Sequence, residues 1–126
     1  MATWNLTDTT HHLFICNGGR CMRKQGEEVT QAIRDEIARE GLDPLIHTTR
    51  TRCNGRCDDA CVVIQYPQGI WYRAMTPEAG RRLVRDIAAG HARPVPGRIT
   101  YTYREGFQPE VHTLPGTYKT APVKGS

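Results

Sequence analysis

Apolar residues fall along this chain in short bursts and in two periodic runs, never in a long block. Residues 11–16, His-His-Leu-Phe-Ile-Cys, form a compact apolar run closed by Asn17-Gly18-Gly19. That pattern predicts a short buried strand running into a tight loop whose glycines let backbone N–H groups turn inward. From residue 22 to residue 40 the period changes. Val29, Ile33 and Ile37 recur every fourth position, with Ala32 and Ala38 beside them and Glu, Arg and Gln on the other side. One amphipathic helix is predicted there, stopped by Gly41. Residues 45–49 predict a second strand. Residues 62–66, Val-Val-Ile-Gln-Tyr, predict a third, which Pro67-Gln68-Gly69 turns back into a hairpin partner over 70–73. Thr76-Pro77-Glu78 supplies a cap, a proline at the first helical position and an early acid. Ala79, Leu83, Val84, Ile87 and Ala88 then mark the buried stripe of a second helix, ended by Gly90.

The order strand, helix, strand, loop, hairpin, helix predicts an α/β fold of thioredoxin-like layout, a mixed β-sheet with two flanking helices. After His91 the character changes. Pro94, Pro96, Pro109, Pro115 and Pro122 punctuate the rest of the chain. Within it Ile99, Tyr101 and Tyr103 alternate with Arg98, Thr100 and Thr102, which predicts one strand with a one-sided apolar face. The expected organisation is an N-terminal arm at 1–10, a thioredoxin-like domain at 11–91 and a Pro-rich C-terminal extension at 92–126. The extension is expected to dock on the domain or on a partner, with its last several residues loose.

Composition narrows the class. With 126 residues and 38% hydrophobic content the chain suits one globular domain with a modest core, of a size that gains from a metal staple. No apolar run is long enough for a transmembrane span, and residues 1–10 lack the apolar centre of a signal peptide. The expected setting is the cytoplasm, without membrane association, where thiols stay reduced. Five cysteines, an odd number, also argue against a disulfide framework. The net charge of +4 comes from 14 Arg and 3 Lys set against 13 acids, with no basic run and no aromatic–basic interleaving. An ordinary solvated surface is the better reading, and nucleic acid is not an expected partner.

The cysteines carry the chemistry. Cys16 and Cys21 are separated by four residues; thirty-one residues later come Cys53, Cys57 and Cys61, each three residues from the next. Asn54-Gly55 predicts a turn, so the stretch from Cys53 to Cys57 is expected to be non-helical. Thiolates hold soft metals and iron–sulfur clusters, and a [2Fe-2S] cluster takes four of them. The intervening helix and strand return the chain to the same end of the sheet, so the two cysteine loops can face each other. Zinc knuckles and thioredoxin-type redox sites favour Cys-x2-Cys spacing, which neither group has. No Ser-His-Asp set, paired carboxylates or phosphate loop appears, so no catalytic reaction is expected.

At these residues the chain resembles the thioredoxin-like [2Fe-2S] ferredoxins, akin to the cluster subunit of respiratory NADH dehydrogenases. The resemblance is carried by His12-Leu13-Phe14-Ile15-Cys16, by Cys53-Asn54-Gly55-Arg56-Cys57, by residues 62–72 from Val62 through Tyr66-Pro67-Gln68-Gly69 to Tyr72, and by Met75-Thr76-Pro77-Glu78. It spans about residues 11 to 90. The resemblance implies a [2Fe-2S] cluster ligated by Cys16, Cys21, Cys53 and Cys57. It also implies a one-electron carrier between a reductase and an acceptor enzyme, and self-association as a homodimer. Two features depart from the family: the loop between the first two cysteines is short, and Cys61 stands where relatives carry a small residue or proline. Cys61 opens an apolar strand, where a buried free cysteine is common, so Cys57 is preferred to it as a ligand.

Other polar and aromatic residues near the cysteines carry less chemistry. His11 and His12 lead a strand and are read as structural or surface groups rather than Rieske-type ligands. Asp58-Asp59 either lower the cluster's potential or form a solvated loop tip. Arg20, Arg50, Arg52 and Arg56 flank the cysteines and are read as a cationic docking rim around a net-negative centre. Trp71 and Tyr72 are read as hairpin core rather than an electron relay. Two competing functions also fit the sequence. One is a structural zinc or metal-handling module using four of the five thiolates. The other is a cluster-bearing subunit or adaptor of a larger redox complex, which the extension favours.

Overall fold

The structure, a computed structural model, describes residues 3–120; the expected looseness of the last several residues, with Pro122, falls outside them. Its centre is β1 (His11–Cys16), in which Leu13 and Ile15 are fully buried while His12 and Phe14 on the other face are only half covered. This alternation makes one face of the sheet a core and leaves the other partly open. β2 (Ile46–Thr51) lies parallel to β1, with His11 opposite Ile46 and Cys16 opposite Thr51. β3 (Val63–Tyr66) runs antiparallel on the other side of β1, and β4 (Ile70–Tyr72) closes the hairpin around Pro67 and Gly69. The hairpin's inner face carries Val63, Gln65 and Tyr72. The Tyr72 hydroxyl donates to Gln65 Oε1 at 2.6 Å, so two buried polar groups satisfy each other.

The segment predicted as one helix is broken. α1 (Gly19–Arg23) is a single short helix carrying Cys21, and α2 (Gly26–Arg39) starts afresh after Gln25. Gln25 adopts the left-handed conformation at φ 69°. A close approach accompanies the break: a Cβ on Gly26 would lie 2.9 Å from the Cys21 carbonyl oxygen and 3.2 Å from that of Cys16. The second predicted helix is α3 (Pro77–Ala88), and Thr76 caps it by accepting from the Ala79 N–H at 3.1 Å. Val29, Ile33 and Ile37 of α2 and Ala79, Leu83, Val84 and Ile87 of α3 join Leu13, Ile15, Val63 and Tyr72 in one core. The two helices meet closely at Gly80, where a Cβ would come within 2.9 Å of Ile33 Cγ1.

The extension docks on the domain. β5 (Ile99–Tyr103) pairs antiparallel with β4, setting Trp71 opposite Tyr101. β6 (Phe107–Pro109), which the sequence did not suggest, pairs with β5. The result is a six-stranded mixed sheet in the order β2-β1-β3-β4-β5-β6. The segment beyond β6 is tied back as well. The N–H of Glu110 and the hydroxyl of Thr113 both donate to the Thr100 carbonyl at 2.7 Å, and Arg93 pairs with the Glu110 carboxylate.

Candidate metal centre

Parallel pairing of β1 and β2 brings the ends of both strands to one edge of the domain. Cys16 is the last residue of β1, and Cys53 lies two residues beyond Thr51, its opposite number on β2. The two loops are in backbone contact. Asn17 N–H donates to the Thr51 carbonyl at 2.8 Å, and the Cys16 thiol reaches the Arg52 carbonyl at 3.6 Å. A Cβ on Gly18 would meet the Cys53 Cα and N at 2.8 Å, so only glycine allows this approach. Gly18 itself is extended, at φ −66° and ψ 169°, so the requirement is one of space rather than of backbone conformation. Cys57 opens a short 3₁₀ turn, Cys57–Asp59, and the preceding loop is non-helical as expected.

Cys16, Cys21, Cys53 and Cys57 line one small cleft, together with Gly18, Arg20, Asn54, Arg56 and Val62. The four thiols divide in exposure: Cys16 and Cys21 are buried, whereas Cys53 and Cys57 are exposed. The Sγ atoms of Cys53 and Cys57 are 3.4 Å apart, and the Gly55 N–H donates to Cys53 Sγ at 3.3 Å. That N–H bond, followed by the Cys57 thiol, holds Cys53 below its ordinary value, while its neighbour Cys53 pushes Cys57 up. Burial pushes Cys21 up to about 11. Metal loading at such a site displaces protons.

Cys61 is the exception. It is buried, does not line the cleft, and donates to the Cys16 carbonyl at 3.8 Å. Burial first, and the neighbouring thiol of Cys21 next, push it up to about 12. A soft, neutral, core-facing thiol fits this environment. Among the described residues, no three His, Cys, Asp or Glu side chains converge as a single-ion site requires. The four thiols of the cleft come from two segments instead, Cys16 and Cys21 from the end of β1 and from α1, Cys53 and Cys57 from the loop after β2, and four thiols in two pairs suit a [2Fe-2S] cluster.

His11 and His12 start β1, at the end opposite Cys16. His12 bonds Thr49 at 2.7 Å and stacks on Phe14. Tyr72 is core and Trp71 is half-buried, as the hairpin reading expected. The arginines do not form one uniform rim. Arg20 and Arg56 line the cleft, but Arg50 is held away by Glu27 and Asn17. Arg20 pairs with Asp58 at 2.8 Å and Arg56 with Asp59 at 2.7 Å, so each of the two acids beside the cysteines is matched by a cation. Asp59 is buried, not part of a solvated loop tip. Of these four arginines, Arg52 alone is exposed with no ion-pair partner among the described residues.

No family model matches the chain. Relatives do. A protein of Priestia megaterium named "Putative 2Fe-2S ferredoxin" is 56% identical over 90 residues, covering 71% of this chain and 70% of the relative. The 2Fe-2S ferredoxin of Clostridium pasteurianum is 28% identical over 87 residues, covering 63% of this chain and 85% of the relative. Among solved structures, the thioredoxin-like [2Fe-2S] ferredoxin of Aquifex aeolicus superimposes with a TM-score of 0.67 at 28% identity. The superposition covers 72% of this chain and 96% of that one.

Proposed function

The chain belongs to the thioredoxin-like [2Fe-2S] ferredoxins, and from that membership we propose that Cys16, Cys21, Cys53 and Cys57 hold its cluster. One observation carries the assignment: these four thiols, and not Cys61, line a single cleft between the two loops. The protein is an iron–sulfur electron carrier. When bound, the cluster supplies a centre that gains and loses one electron. The chain's own work is to hold and shield it, since a carrier needs binding and electrostatics rather than acid–base groups.

The division of the ligands gives the carrier a direction. Cys16 and Cys21 anchor the inner side of the site in the core. Cys53 and Cys57 form its outer edge, where a partner can approach closely enough to exchange an electron. Exposed Arg52 and half-exposed Arg20 stand near that edge and suit a partner whose docking face is acidic. In this reading the chain works between a reductase and an acceptor enzyme, catalyses no reaction of its own, and binds no nucleic acid.

Three further parts of the proposal rest on separate observations. The division into an arm (1–10), a cluster domain (11–91) and an extension (92–126) is supported by β5 and β6 adding to the edge of a sheet otherwise complete by residue 72. Self-association is supported by the sheet face opposite α2 and α3, where Tyr66, Tyr103 and Phe107 are exposed beside half-buried Phe14 and Trp71. The cytoplasmic setting proposed is supported by the five free cysteines, since thiols stay reduced there; no helix among the described residues is long and apolar enough to cross a membrane.

The test is an EPR spectrum of the anaerobically purified, dithionite-reduced protein with iron analysis. An S = 1/2 signal from about two irons per chain is expected. A colourless protein holding zinc would overturn the assignment.

A further inference from the structure

Arg56 stands between two proposed ligands, one residue before Cys57, yet its side chain is only 15% exposed. Two parts of the chain enclose it. From its own loop, Asp59 Oδ2 accepts from Nε at 2.7 Å. From the extension, the Leu114 carbonyl accepts from Nη2 at 2.8 Å, and the guanidinium carbon lies 5.3 Å from the centre of the Tyr101 ring. Gly116 passes so close that a Cβ there would lie 3.1 Å from Nη1. The extension is itself anchored, through β5 on β4 and through Glu110 and Thr113 on the Thr100 carbonyl.

We propose that Arg56 is a positioning residue, through which the C-terminal extension clamps the Cys53–Cys57 loop against the cluster. The loop needs such a clamp. Its two cysteines are exposed, its tip at Asn54-Gly55 is a turn, and a Cβ added at Gly55 would meet nothing within 4 Å. Local opening of an exposed loop tip is inexpensive unless something outside it holds it shut. The guanidinium suits the task because its planar fork can satisfy a carboxylate and a carbonyl at once while stacking on an aromatic face. Lysine offers the charge without the fork. This inference rests on the ligand assignment above, since it gives Arg56 the task of holding two of those ligands.

The test uses full-length, cluster-loaded protein and follows loss of visible absorbance and release of iron to a chelator. Arg56→Lys keeps the charge but gives up the fork, and Tyr101→Leu removes the stacking ring without touching the loop. Each variant is expected to start with the wild-type iron content and EPR spectrum. Each is then expected to lose its cluster about tenfold faster, the size of effect that follows from one lost charge-assisted hydrogen bond or one lost desolvated cation–π contact. Because both substitutions open the same clamp, Arg56→Lys/Tyr101→Leu is expected to be no faster than Arg56→Lys alone. Two unrelated structural lesions would multiply instead. Arg104→Lys, at an exposed position on the turn between β5 and β6 and outside the clamp, is expected to match wild type.

Amide hydrogen exchange over residues 54–57 provides a second reading that needs no cluster, and it is expected to accelerate in both clamp variants. Wild-type release rates in both, multiplying rates in the double variant, or unchanged exchange over 54–57 would each overturn the proposal. A wild-type protein without two irons per chain would instead refute the ligand assignment, and the exchange measurement would still decide the clamp.

Discussion

Replacing Gly18 by alanine tests whether the two cysteine loops must touch for the site to exist. The added Cβ would sit 2.8 Å from both Cα and N of Cys53, whereas ordinary contact begins near 3.4 Å. The obstructing atoms are backbone, so no rotamer change relieves the overlap. The Cys53 segment has to retreat by about 0.6 Å. Metal–ligand distances tolerate only about 0.2 Å of error, so the displacement is about three times what the coordination accepts. Overpacking of this kind costs about 1–3 kcal/mol in the fold. The cost at the site is larger in relative terms, because supporting contacts of metal ligands typically govern about 10- to 100-fold in affinity. Gly19→Ala is the matched control: its Cβ would lie 3.6 Å from Arg23 Nη1, an ordinary contact, and Gly19 begins α1. Both proteins would be purified anaerobically, then assayed for iron per chain and for cluster half-life against a chelator. Gly18→Ala is expected to shed its cluster about 10- to 100-fold faster than wild type. Gly19→Ala should hold it with equal or slightly greater stability, a gain of no more than about 1 kcal/mol. Equal half-lives for the two variants would show that the loops do not need to meet, and the site as described would be wrong.

Other expectations are simpler. Cys57→Ala should abolish the four-thiolate absorption spectrum, whereas Cys61→Ala should keep it, because Cys61 is buried and does not line the cleft; the reverse pattern in visible spectra would exchange their roles. Thr76→Ala removes the oxygen that accepts the Ala79 N–H and should cost about 1 kcal/mol in a denaturant titration, with no change in the EPR spectrum.

The elements most legible in the sequence are those whose own residues specify them. Leu13 and Ile15 alternate with His12 and Phe14, and the strand at 11–16 follows directly. Thr76-Pro77 marks the start of α3, and Thr76 does cap it. The break at Gln25 was not legible, because a four-residue apolar period reads straight through it. What accompanies the break is a tertiary contact, the Gly26 backbone against the carbonyls of Cys16 and Cys21. β6 was also invisible, since Phe107, Gln108 and Pro109 are all exposed and leave no alternation to detect. At the site, the spacing of cysteines marked five candidates, but which four share a cleft depends on which way each thiol points from its loop. Proximity in sequence misled most over the arginines. Arg50 and Arg56 both lie three or fewer residues from a cysteine, yet one is drawn off by Glu27 on α2 and the other is enclosed by the extension.

The added strands also change what the hairpin shows to its surroundings. Without them β4, with Ile70, Trp71 and Tyr72, would be a flat, apolar sheet border whose free backbone groups invite pairing with any passing strand. β5 occupies that border, and the new one is β6, three exposed residues ending in a proline that has no N–H to offer. This terminator is made late. On the ribosome, the strands through residue 72 emerge before residues 99–109 do, so the nascent protein passes through an interval with an open, sticky margin. Chains that stop short of β5 should therefore clump with one another even where their cysteines are intact.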